Sequence, residues 1–487
     1  MKTGVNREDS FPHFQQSFQD STFGFPHPLW TNSAFPHFAQ ALHKIRGIFH
    51  STQSRLIAGS APVFHEFNAP YYSGYIPVRF NRKARLWSEF FTSAFRQARK
   101  ANRSGKCRFA ATNKRTGENN MNIICDKALL SAAIDGVSRA VTLRSSIPQL
   151  EGILLQADGF QLTLTGYDME MAIITTIEAN VREAGEIVLN AKLLGDMVRR
   201  LPGGEITIST DTTGNATVKG GVAEFDINAM SAGDYPPLPN PGADHTLTMP
   251  CSQLKEIIDR TIYAVSQDDK RPAHTGELFM IQPQQLTVVA LDGFRLAIVQ
   301  RQVQAQKEIR IVIPGKTLLE VNKLLPDDPD EQVQISANRR FVVFAARGYT
   351  IMSRLLDGEF LNYETVMPHG CRTRVEVDTR AFCETIERAS LIITERLKNP
   401  LRIQIDDHLT VRCQTALGKV VDEMEAKVEG EPVEIGFNNR YLLDAMRNAR
   451  CERVVLEISG PLSPVKILPA EGEDFTYLVL PVRFKND

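Results

Sequence analysis

Three internal repeats between Met121 and the end of the chain constrain its fold more than any other feature. Each repeat carries two amphipathic helix patterns, with short alternating strand patterns between and after them. The first helices read ALLSAAIDGVSRAV, SQLKEIIDRTIYAV and RAFCETIERASLII, beginning at Ala128, Ser252 and Arg380. The second helices read NAKLLGDMVRRLP, PGKTLLEVNKLLP and NNRYLLDAMRNAR, beginning at Asn190, Pro314 and Asn438. The chain therefore contains three equivalent units.

The spacing of the second helices gives the size of one unit. Leu193, Leu318 and Leu442 are interpreted as equivalent positions and lie about 125 residues apart, the length of one domain. Strand patterns such as QLTLTG after Phe160 alternate as half-buried strands do. We therefore predict an α+β fold of three domains, each with two helices on a largely antiparallel sheet. Turn-rich stretches set the predicted domain bounds at 121–245, 246–370 and 371–487.

The first 120 residues differ in composition from the rest of the chain. They contain 17 Lys and Arg against 6 Asp and Glu, whereas the remainder contains 39 against 51. The triplet FPH occurs three times, beginning at Phe11, Phe25 and Phe35, and few Leu, Ile or Val residues are available for a core. Three interpretations stay open: translation from a misassigned start codon, an organelle transit peptide, or a genuine basic tail. We expect residues 1–120 to be a basic, Phe-, His- and Pro-rich extension, either disordered or the product of a misassigned start.

The helix patterns carry a charge that the rest of the body does not. The first helices are neutral, and the second helices are basic in all three repeats, through Lys192, Arg199, Arg200, Lys316, Lys323, Arg440, Arg447 and Arg450. A positive helical surface on an acidic body suits a duplex phosphate backbone that is contacted without reading bases. Ordinary charge scatter, with late Lys and Arg suited to the helix dipole, is the alternative.

No catalytic or metal-binding motif occurs in the sequence. PGKT at Pro314 lacks the upstream glycine of a phosphate-binding loop, because Arg310 stands at that position. The seven cysteines include no C-x-x-C pair. The histidines of the body are interpreted as surface or turn residues: His245, His274, His369 and His408. We therefore predict a protein that is not an enzyme, with no catalytic residue, no metal site and no cofactor.

Four stretches match a known family. They are the opening helix with TLRSSIPQLEGILLQ from Thr142, LTGYDMEM from Leu164, ALDGFRLAIV from Ala290 and YLVLPVRF from Tyr477. On these stretches, residues 121–484 resemble the beta subunit of bacterial replicative DNA polymerase, the beta sliding clamp family. The resemblance implies the DNA-clamp fold, closed into a ring-shaped homodimer by head-to-tail contacts.

The resemblance also implies the function. Helices would line a hole through which double-stranded DNA passes, and the ring would act as a processivity factor for the polymerase. The implied partners are the catalytic subunit of the replicative DNA polymerase, the clamp loader, and other replication and repair proteins that carry a clamp-binding motif. Arg144 matches a DNA contact of the family, Lys270 and Arg271 lie on the loop where other contacts are found, and the helix charges add Arg199, Arg200, Lys316 and Arg447.

The family binds partner peptides in a hydrophobic groove between its second and third domains. Carried over by position, the groove residues are His274, Leu291, Gly293, Phe294, Arg295, Leu296, Leu361, Thr365, Val366, Leu462, Pro464, Leu478, Val479, Leu480, Pro481, Val482 and Arg483. An aliphatic groove with few polar groups suits a peptide that presents a glutamine and apolar anchors. For Leu296, Val366 and Val479, plain core packing is the alternative.

Several residues depart from the family pattern. His274 stands where the family usually has an aliphatic residue and Leu291 where it often has threonine, so we expect a narrower groove or different anchors. Asp268 replaces a neutral polar residue on the DNA-facing loop and is expected to weaken that contact. The tail Lys485–Asp487 extends past the usual end of the family and is expected to cover part of the groove.

Two other functions fit parts of the sequence. A three-domain adaptor or ligand-binding protein on the same fold would not encircle DNA, and the basic helices argue against it. A hydrolase built from scattered carboxylates has no motif to support it. No apolar run of about 18 residues and no secretory signal occur. We therefore expect no membrane contact and a location in the bacterial cytoplasm, on DNA.

Overall fold

The computed structural model describes residues 120–211, 214–239, 242, 245–394 and 399–484. The predictions made for the basic extension and for the tail Lys485–Asp487 lie outside these described residues. In the described part, each of the three repeats contains two helices and antiparallel strands. The predicted α+β class is therefore confirmed.

The first repeat consists of two strand and helix halves. Its helices are α1 (Lys127–Val137) and α2 (Ala191–Arg200). Its strands are β1 (Asn122–Asp126), β2 (Gly152–Asp158), β3 (Gln161–Tyr167), β4 (Met171–Glu178), β5 (Asn180–Glu183), β6 (Gly185–Asn190), β7 (Glu205–Thr210), β8 (Asn215–Gly220) and β9 (Ala223–Asn228).

The second repeat has the same order of elements with one strand fewer. Its helices are α3 (Cys251–Thr261) and α4 (Gly315–Leu324). Its strands are β10 (His245–Pro250), β11 (Gly276–Ile281), β12 (Gln285–Leu291), β13 (Arg295–Gln302), β14 (Ile309–Pro314), β15 (Gln332–Ala337), β16 (Phe341–Ala346) and β17 (Tyr349–Arg354).

The third repeat returns to nine strands. Its helices are α5 (Thr379–Ser390) and α6 (Asn439–Ala449). Its strands are β18 (Thr373–Asp378), β19 (Leu401–Ile405), β20 (Leu409–Thr415), β21 (Gly418–Met424), β22 (Lys427–Gly430), β23 (Val433–Phe437), β24 (Arg453–Ile458), β25 (Val465–Pro469) and β26 (Phe475–Val479).

Short polar side chains start the helices of the first and third repeats. Asp126 accepts hydrogen bonds from the amides of Ala128 and Leu129 in α1. The same role is filled at α2, α5 and α6 by Asn190, Asp378 and Asn438. These side chains satisfy amide groups that the first helical turn leaves without an intrahelical partner. Each helix therefore begins directly where the preceding strand ends.

The strands of the described part form four antiparallel sheets, two of which are shared between neighbouring repeats. The first shared sheet has the order β10-β15-β16-β17-β4-β3-β2-β6, and the second has the order β14-β11-β12-β13-β26-β25-β24-β18-β22. At the junctions, Ile351 on β17 faces Ile173 on β4, and Tyr477 on β26 faces Ala297 on β13. The other two sheets are β5-β1-β7-β8-β9 in the first repeat and β21-β20-β19-β23 in the third.

The structure corrects the alignment of the second helices by one residue. Leu193 is exposed on α2, whereas Leu318 and Leu442 are buried. The buried leucine of α2 is Leu194, which is the fourth residue of its helix, as Leu318 and Leu442 are of theirs. The interval is then 124 residues in both steps, from Leu194 to Leu318 and from Leu318 to Leu442. The pairing of Leu193 with the other two was wrong because a repeat length alone does not separate two adjacent leucines.

One carboxyl group lies inside the core of the second repeat. Glu277 on β11 is fully buried, and its Oε1 accepts a hydrogen bond of 2.9 Å from the hydroxyl of Thr261. Burial raises the pKa of Glu277 to about 8, although the bond from Thr261 acts in the opposite direction. The equivalent sheet position is occupied by buried Ile153 in the first repeat and by buried Leu401 in the third. The second repeat thus carries an acid where the other two carry an aliphatic side chain.

Candidate nucleic-acid interface and partner groove

The six helices of the described part form one continuous layer. Within the repeats, α1 packs on α2, α3 on α4 and α5 on α6, and α3 also contacts α6. At the first junction, Arg139, just after α1, forms an ion pair of 3.2 Å with Glu320 on α4. At the second junction, Arg450, just after α6, forms an ion pair of 2.8 Å with Asp259 on α3. These pairs join the helices of neighbouring repeats into a single surface.

Two of the predicted DNA contacts on this surface are paired with carboxylates. Arg199 on α2 lies 2.9 Å from Asp135 on α1 and 3.0 Å from Asp196 on its own helix. Arg447 on α6 lies 2.8 Å from Glu387 on α5. Exposed pairs of this kind contribute little stability, so their main effect is to neutralise part of the positive charge. The sequence did not indicate this, because Asp135 and Glu387 lie on other helices.

The remaining predicted contacts divide into one paired lysine and four unpaired cations. Lys316 on α4 donates a hydrogen bond of 2.6 Å to Asp168, in the turn between β3 and β4 of the first repeat. Among the described residues, no carboxylate lies within ion-pair distance of the other four, which are all exposed: Arg144, Arg200, Lys270 and Arg271. The free positive charge is therefore concentrated in the first repeat and the start of the second.

Lys192 belongs with these unpaired cations, although it was not predicted as a contact. It is exposed at the second position of α2, where α4 has Lys316 and α6 has Arg440. In the described part of the chain, no carboxylate pairs with Lys192. The signal was available in the sequence, since a basic residue recurs at this helix position in all three repeats.

Asp268 shapes the loop that carries two of the unpaired cations. Its Oδ1 accepts a hydrogen bond of 3.1 Å from the amide of Lys270, and its own amide donates one to Ser266. An aspartate in this role stabilises a turn through its side chain. Asp268 therefore helps to present Lys270 and Arg271, and the expected weakening of DNA contact stays a prediction.

An apolar rim lies at the second junction, where the groove was predicted. Six predicted groove residues are large hydrophobic side chains that are each 37% exposed or more: Phe294, Leu361, Val366, Leu462, Leu480 and Val482. Gly293, Thr365 and Arg483 are exposed beside them, and Pro464 and Pro481 are half-buried. The amide of Leu480 donates a hydrogen bond of 2.9 Å to the carbonyl of Phe294, which joins the two sides of the rim. Exposed apolar groups clustered in this way mark an interaction site.

The floor of the predicted groove is core. Leu291, Leu296 and Leu478 are buried in one small hydrophobic cluster, and Val479 is buried in the main core. Leu296 and Val479 are therefore buried, as the alternative of plain core packing predicted. Val366, for which the same alternative was open, is exposed. The exposed part of the predicted groove is thus its rim.

Arg295 joins the second and third domains beneath this rim. Its guanidinium group lies 3.0 Å from Asp292, 2.5 Å from Asp444, and 4.8 Å from the centre of the Tyr441 ring. The Tyr441 ring in turn stacks on Phe294, with 5.6 Å between ring centres. Because the Arg295 side chain is only 12% exposed and is held by two carboxylates, it supports the rim from below.

Sequence reasoning missed two residues at this junction. A cavity of about 700 Å³ opens beside Val482, and Tyr441 and Asn438 are among its lining residues. Both belong to the start of α6, which the sequence had assigned to the DNA-facing layer. The available signal was the aromatic ring of Tyr441 at a helix position where the other repeats have Leu193 and Thr317.

Among the described residues of the predicted groove, His274 is the one with a buried, titratable ring. It is 6% exposed and lies in a helical turn (Pro272–Thr275), so of the two alternatives, a surface or a turn residue, the structure shows the turn. Burial, followed by the nearby charge of Arg271, lowers the pKa of His274. The imidazole is therefore neutral over most of the physiological pH range.

Two features of the described residues bear on metal and thiol chemistry. No group of three or more His, Cys, Asp or Glu side chains among them is arranged to hold a metal ion. Burial raises the pKa of the Cys125 thiol to about 12, which disfavours its reactive thiolate form. None of the helices in this part of the chain is long and apolar enough to cross a membrane.

A threefold repeat that shares its sheets across junctions and carries its helices in one layer defines a protein of the DNA-clamp class. Three family models match consecutive parts of the chain. They are the N-terminal, central and C-terminal domains of the DNA polymerase III beta subunit, at residues 121–239, 248–362 and 364–483. The chain belongs to the DNA polymerase III beta subunit family.

Individual proteins are similar over the same region. The beta sliding clamp of Halalkalibacterium halodurans is 32% identical over 381 residues, which cover 74% of this chain and all of that protein. A putative DNA polymerase III beta subunit from Eubacterium rectale has a TM-score of 0.73 and 33% identity, covering 75% of this chain and 99% of that one. The DNA polymerase sliding clamp of Bacillus subtilis has a TM-score of 0.73 and 29% identity, covering 75% and 100%. The resemblance drawn from the sequence is confirmed.

Proposed function

We propose that the protein is a sliding clamp, a processivity factor that closes into a head-to-tail homodimeric ring around double-stranded DNA and holds a polymerase on it. Relatives named beta sliding clamp, matched over their full length, support this function. The alternative of a three-domain adaptor that does not encircle DNA has no support among the similar proteins.

Two sheet edges that have no partner strand among the described residues support the proposal. β9 ends the five-stranded sheet of the first repeat, and β21 ends the four-stranded sheet of the third. The strands that correspond to β9 in the other repeats are β17 and β26, and those that correspond to β21 are β4 and β13. β17 pairs with β4 in the first shared sheet, and β26 pairs with β13 in the second. An unpaired edge is a template for another strand, and a second copy of the chain supplies the missing partner for both edges.

The internal repeat sets the register of this contact. Ile351 faces Ile173 at the first junction, and Tyr477 faces Ala297 at the second. Tyr477 lies 126 residues after Ile351, and Ala297 lies 124 residues after Ile173. The hairpin between β19 and β20 is one residue shorter than the hairpin between β11 and β12, so the next step along β21 is 123 residues and Ala297 corresponds to Val420. One step of 126 residues back from Ile351 gives Phe225, which is therefore placed opposite the partner subunit's Val420. Phe225 is 40% exposed and Val420 is half-buried beside the core, so the contact covers apolar surface on both sides.

The charge of the helix layer supports passage of DNA. Lys192, Arg200 and Arg144 in the first repeat, with Lys270 and Arg271 in the second, form the unpaired positive set. We assign to these residues the main phosphate contacts, and to Arg199, Lys316 and Arg447 weaker ones, because their carboxylate partners compete with phosphate. Contacts to the backbone alone are independent of sequence and let the ring slide.

The groove at the second junction is proposed as the site for partner peptides. Its exposed rim and buried floor suit apolar anchors, and Tyr441 with its neighbouring cavity extends the predicted surface. The partners assigned to it are the polymerase catalytic subunit, the clamp loader and other proteins with a clamp-binding motif. The protein has no catalytic role in this proposal, and it acts on DNA in the bacterial cytoplasm.

The domain bounds are part of the same proposal. We assign clamp domains to residues 121–245, 246–370 and 371–487. The junction strands fit this division, because β10 opens at His245 and β18 opens at Thr373.

A topological experiment tests the function. The molar mass of the full chain is measured by light scattering, and the clamp is then loaded on nicked circular DNA. A dimer that stays on circles and leaves when they are cut to linear DNA is expected. A monomer, or a protein released equally from circular and linear DNA, contradicts encirclement.

A further inference from the structure

His274 has a buried ring with no hydrogen-bonding role in the fold. Its backbone is fixed, because its amide donates to the carbonyl of Arg271 and its carbonyl accepts from the amide of Ser266, both at 2.9 Å. Its ring packs edge-on against Phe360, with 5.4 Å between ring centres. Within the described structure, the imidazole nitrogens form no hydrogen bond to protein. The ring nitrogens are not among the polar atoms that the described structure seals from solvent, so a ligand that covers them without pairing with them leaves a polar group without a partner, at a cost in free energy.

The first repeat shows that packing does not require this imidazole. Leu150 lies 124 residues before His274, in the equivalent helical turn (Pro148–Glu151), and is 3% exposed. It shares a buried cluster with the aromatic Tyr235, much as His274 packs against Phe360. A leucine therefore fills the equivalent position in the first repeat. The polar ring of His274 serves something other than the core.

The place of His274 in the second repeat points to a ligand. Phe360, which it contacts, belongs to the small cluster that contains the groove-floor residues Leu291 and Leu296. Leu361, the next residue, is exposed on the rim. The corresponding cluster of the first repeat has no such rim assigned to it. His274 thus lies at the margin of the floor on which a peptide would rest.

The charged groups around His274 keep it neutral. Arg271 is the charged side chain that acts on the ring among the described residues, and the side chain facing it from the segment after β17 is the uncharged Phe360. A neutral imidazole has one donor and one acceptor nitrogen. It therefore pairs with a neutral group that can both donate and accept.

We propose that His274 makes the groove selective for partner peptides that carry a hydroxyl or carboxamide group at the anchor over this part of the floor. The proposal rests on the assignment of the groove as a peptide site. A purely aliphatic floor binds the apolar isostere more tightly than such a polar anchor. A buried imidazole rewards the polar anchor, because the anchor satisfies both itself and the ring.

Isosteric peptides test this selectivity. A clamp-binding peptide with apolar anchors is compared with versions in which valine is replaced by threonine at each anchor in turn, by fluorescence anisotropy with the full chain. The proteins are the wild type, His274→Leu, His274→Gln and the control His408→Leu. His408 is a partly exposed histidine on the turn between β19 and β20 of the third repeat.

One threonine peptide is expected to bind the wild type and the control at least as tightly as its valine counterpart. His274→Leu is expected to disfavour the same threonine peptide by about tenfold, as for one buried polar group left without a partner. His274→Gln, which keeps a donor and an acceptor, is expected to retain most of the preference. The position of Leu150 in the first repeat indicates that His274→Leu folds.

The two proposals fail in different ways. An equal threonine-to-valine affinity ratio in the wild type and His274→Leu, with both binding peptide, overturns the role of His274 and leaves the groove assignment standing. Loss of preference in the control as well as in His274→Leu also overturns it. A wild type that binds no peptide of the series overturns the groove assignment itself.

Discussion

The ammonium group of Lys316 lies 2.6 Å from the carboxylate of Asp168, and this pair joins the second domain to the first. Asp168 is held in place, since its other oxygen accepts hydrogen bonds from the amides of Glu170 and Met171. Lys192 occupies the same helix position in the first repeat, where the described chain supplies no such carboxylate. One helix position therefore supports a domain junction in one repeat and presents a free charge in another.

This difference predicts unequal roles for the basic residues in DNA binding. Arg200→Gln is expected to lower the salt dependence of DNA retention, reducing the slope of log affinity against log salt by about 1.8, because the ring loses one phosphate contact in each of its two subunits. Lys316→Gln is expected to change that slope much less, because Lys316 is paired with Asp168. The measurement is the dissociation of loaded clamp from circular DNA at several salt concentrations. Equal slopes for the two variants, both reduced, would contradict the division into paired and unpaired cations.

The register of the subunit contact predicts which substitution opens the ring. Phe225→Arg is expected to convert the dimer to monomers at micromolar concentration, since it places a charge against the partner subunit's Val420 in an apolar contact. Combining it with Val420→Glu is expected to restore dimers in part, because opposite charges then face each other across the strands. Light scattering measures both results. Phe160→Arg, at an exposed hairpin tip of the first repeat, is the matched control and should stay dimeric.

The burial of the groove floor predicts where a charge disrupts peptide binding without damage to the fold. Leu462→Glu and Val482→Glu on the exposed rim are expected to weaken a clamp-binding peptide by more than about tenfold, through loss of apolar contact area. The dimer and the melting temperature should be unchanged. Leu296→Glu is instead expected to unfold the second domain, because Leu296 is 4% exposed. Titration of a labelled peptide with each variant, beside its thermal melt, separates the two effects.

Glu277 predicts a dependence of stability on pH. Its pKa is about 8 in the folded chain against an ordinary value of 4.5, so the folded state holds a proton that the unfolded state releases between these values. The stability associated with this proton is complete below about pH 4.5 and is lost as the pH rises through about 8. Glu277→Gln removes the titration, so its melting temperature is expected to exceed that of the wild type by several degrees at pH 9 and to match it near pH 5.

Thermal melts of the wild type and Glu277→Gln across this pH range check the prediction. Glu277→Leu is a second variant, because Ile153 and Leu401 occupy the equivalent position in the other repeats. Parallel curves for the wild type and Glu277→Gln would show that the buried acid does not titrate in this range.

The sequence predicted the fold because the repeat length, the helix patterns and the strand patterns all indicate the same three α+β domains. The exposed apolar residues from Phe294 to Val482 were predicted by position, and their exposure agrees with a surface role, but their part in binding stays a prediction. The sequence did not predict which arginines are neutralised, because the partners of Arg199 and Arg447 depend on how helices pack, about 60 residues away in the chain. It missed Tyr441 because the charge pattern of α6 describes the basic residues of that helix, whereas Tyr441 lines the cavity beside Val482.

Shared sheets make the folding unit different from the repeating unit. A single domain cut from this chain loses the strands with which it pairs, and the middle domain loses them on both sides, through β17 and β13. Isolated domains are therefore poor candidates for independent expression, and their raw edges favour aggregation. For the same reason, exchange of the middle domain between related proteins requires that both of its junction strands match their new neighbours.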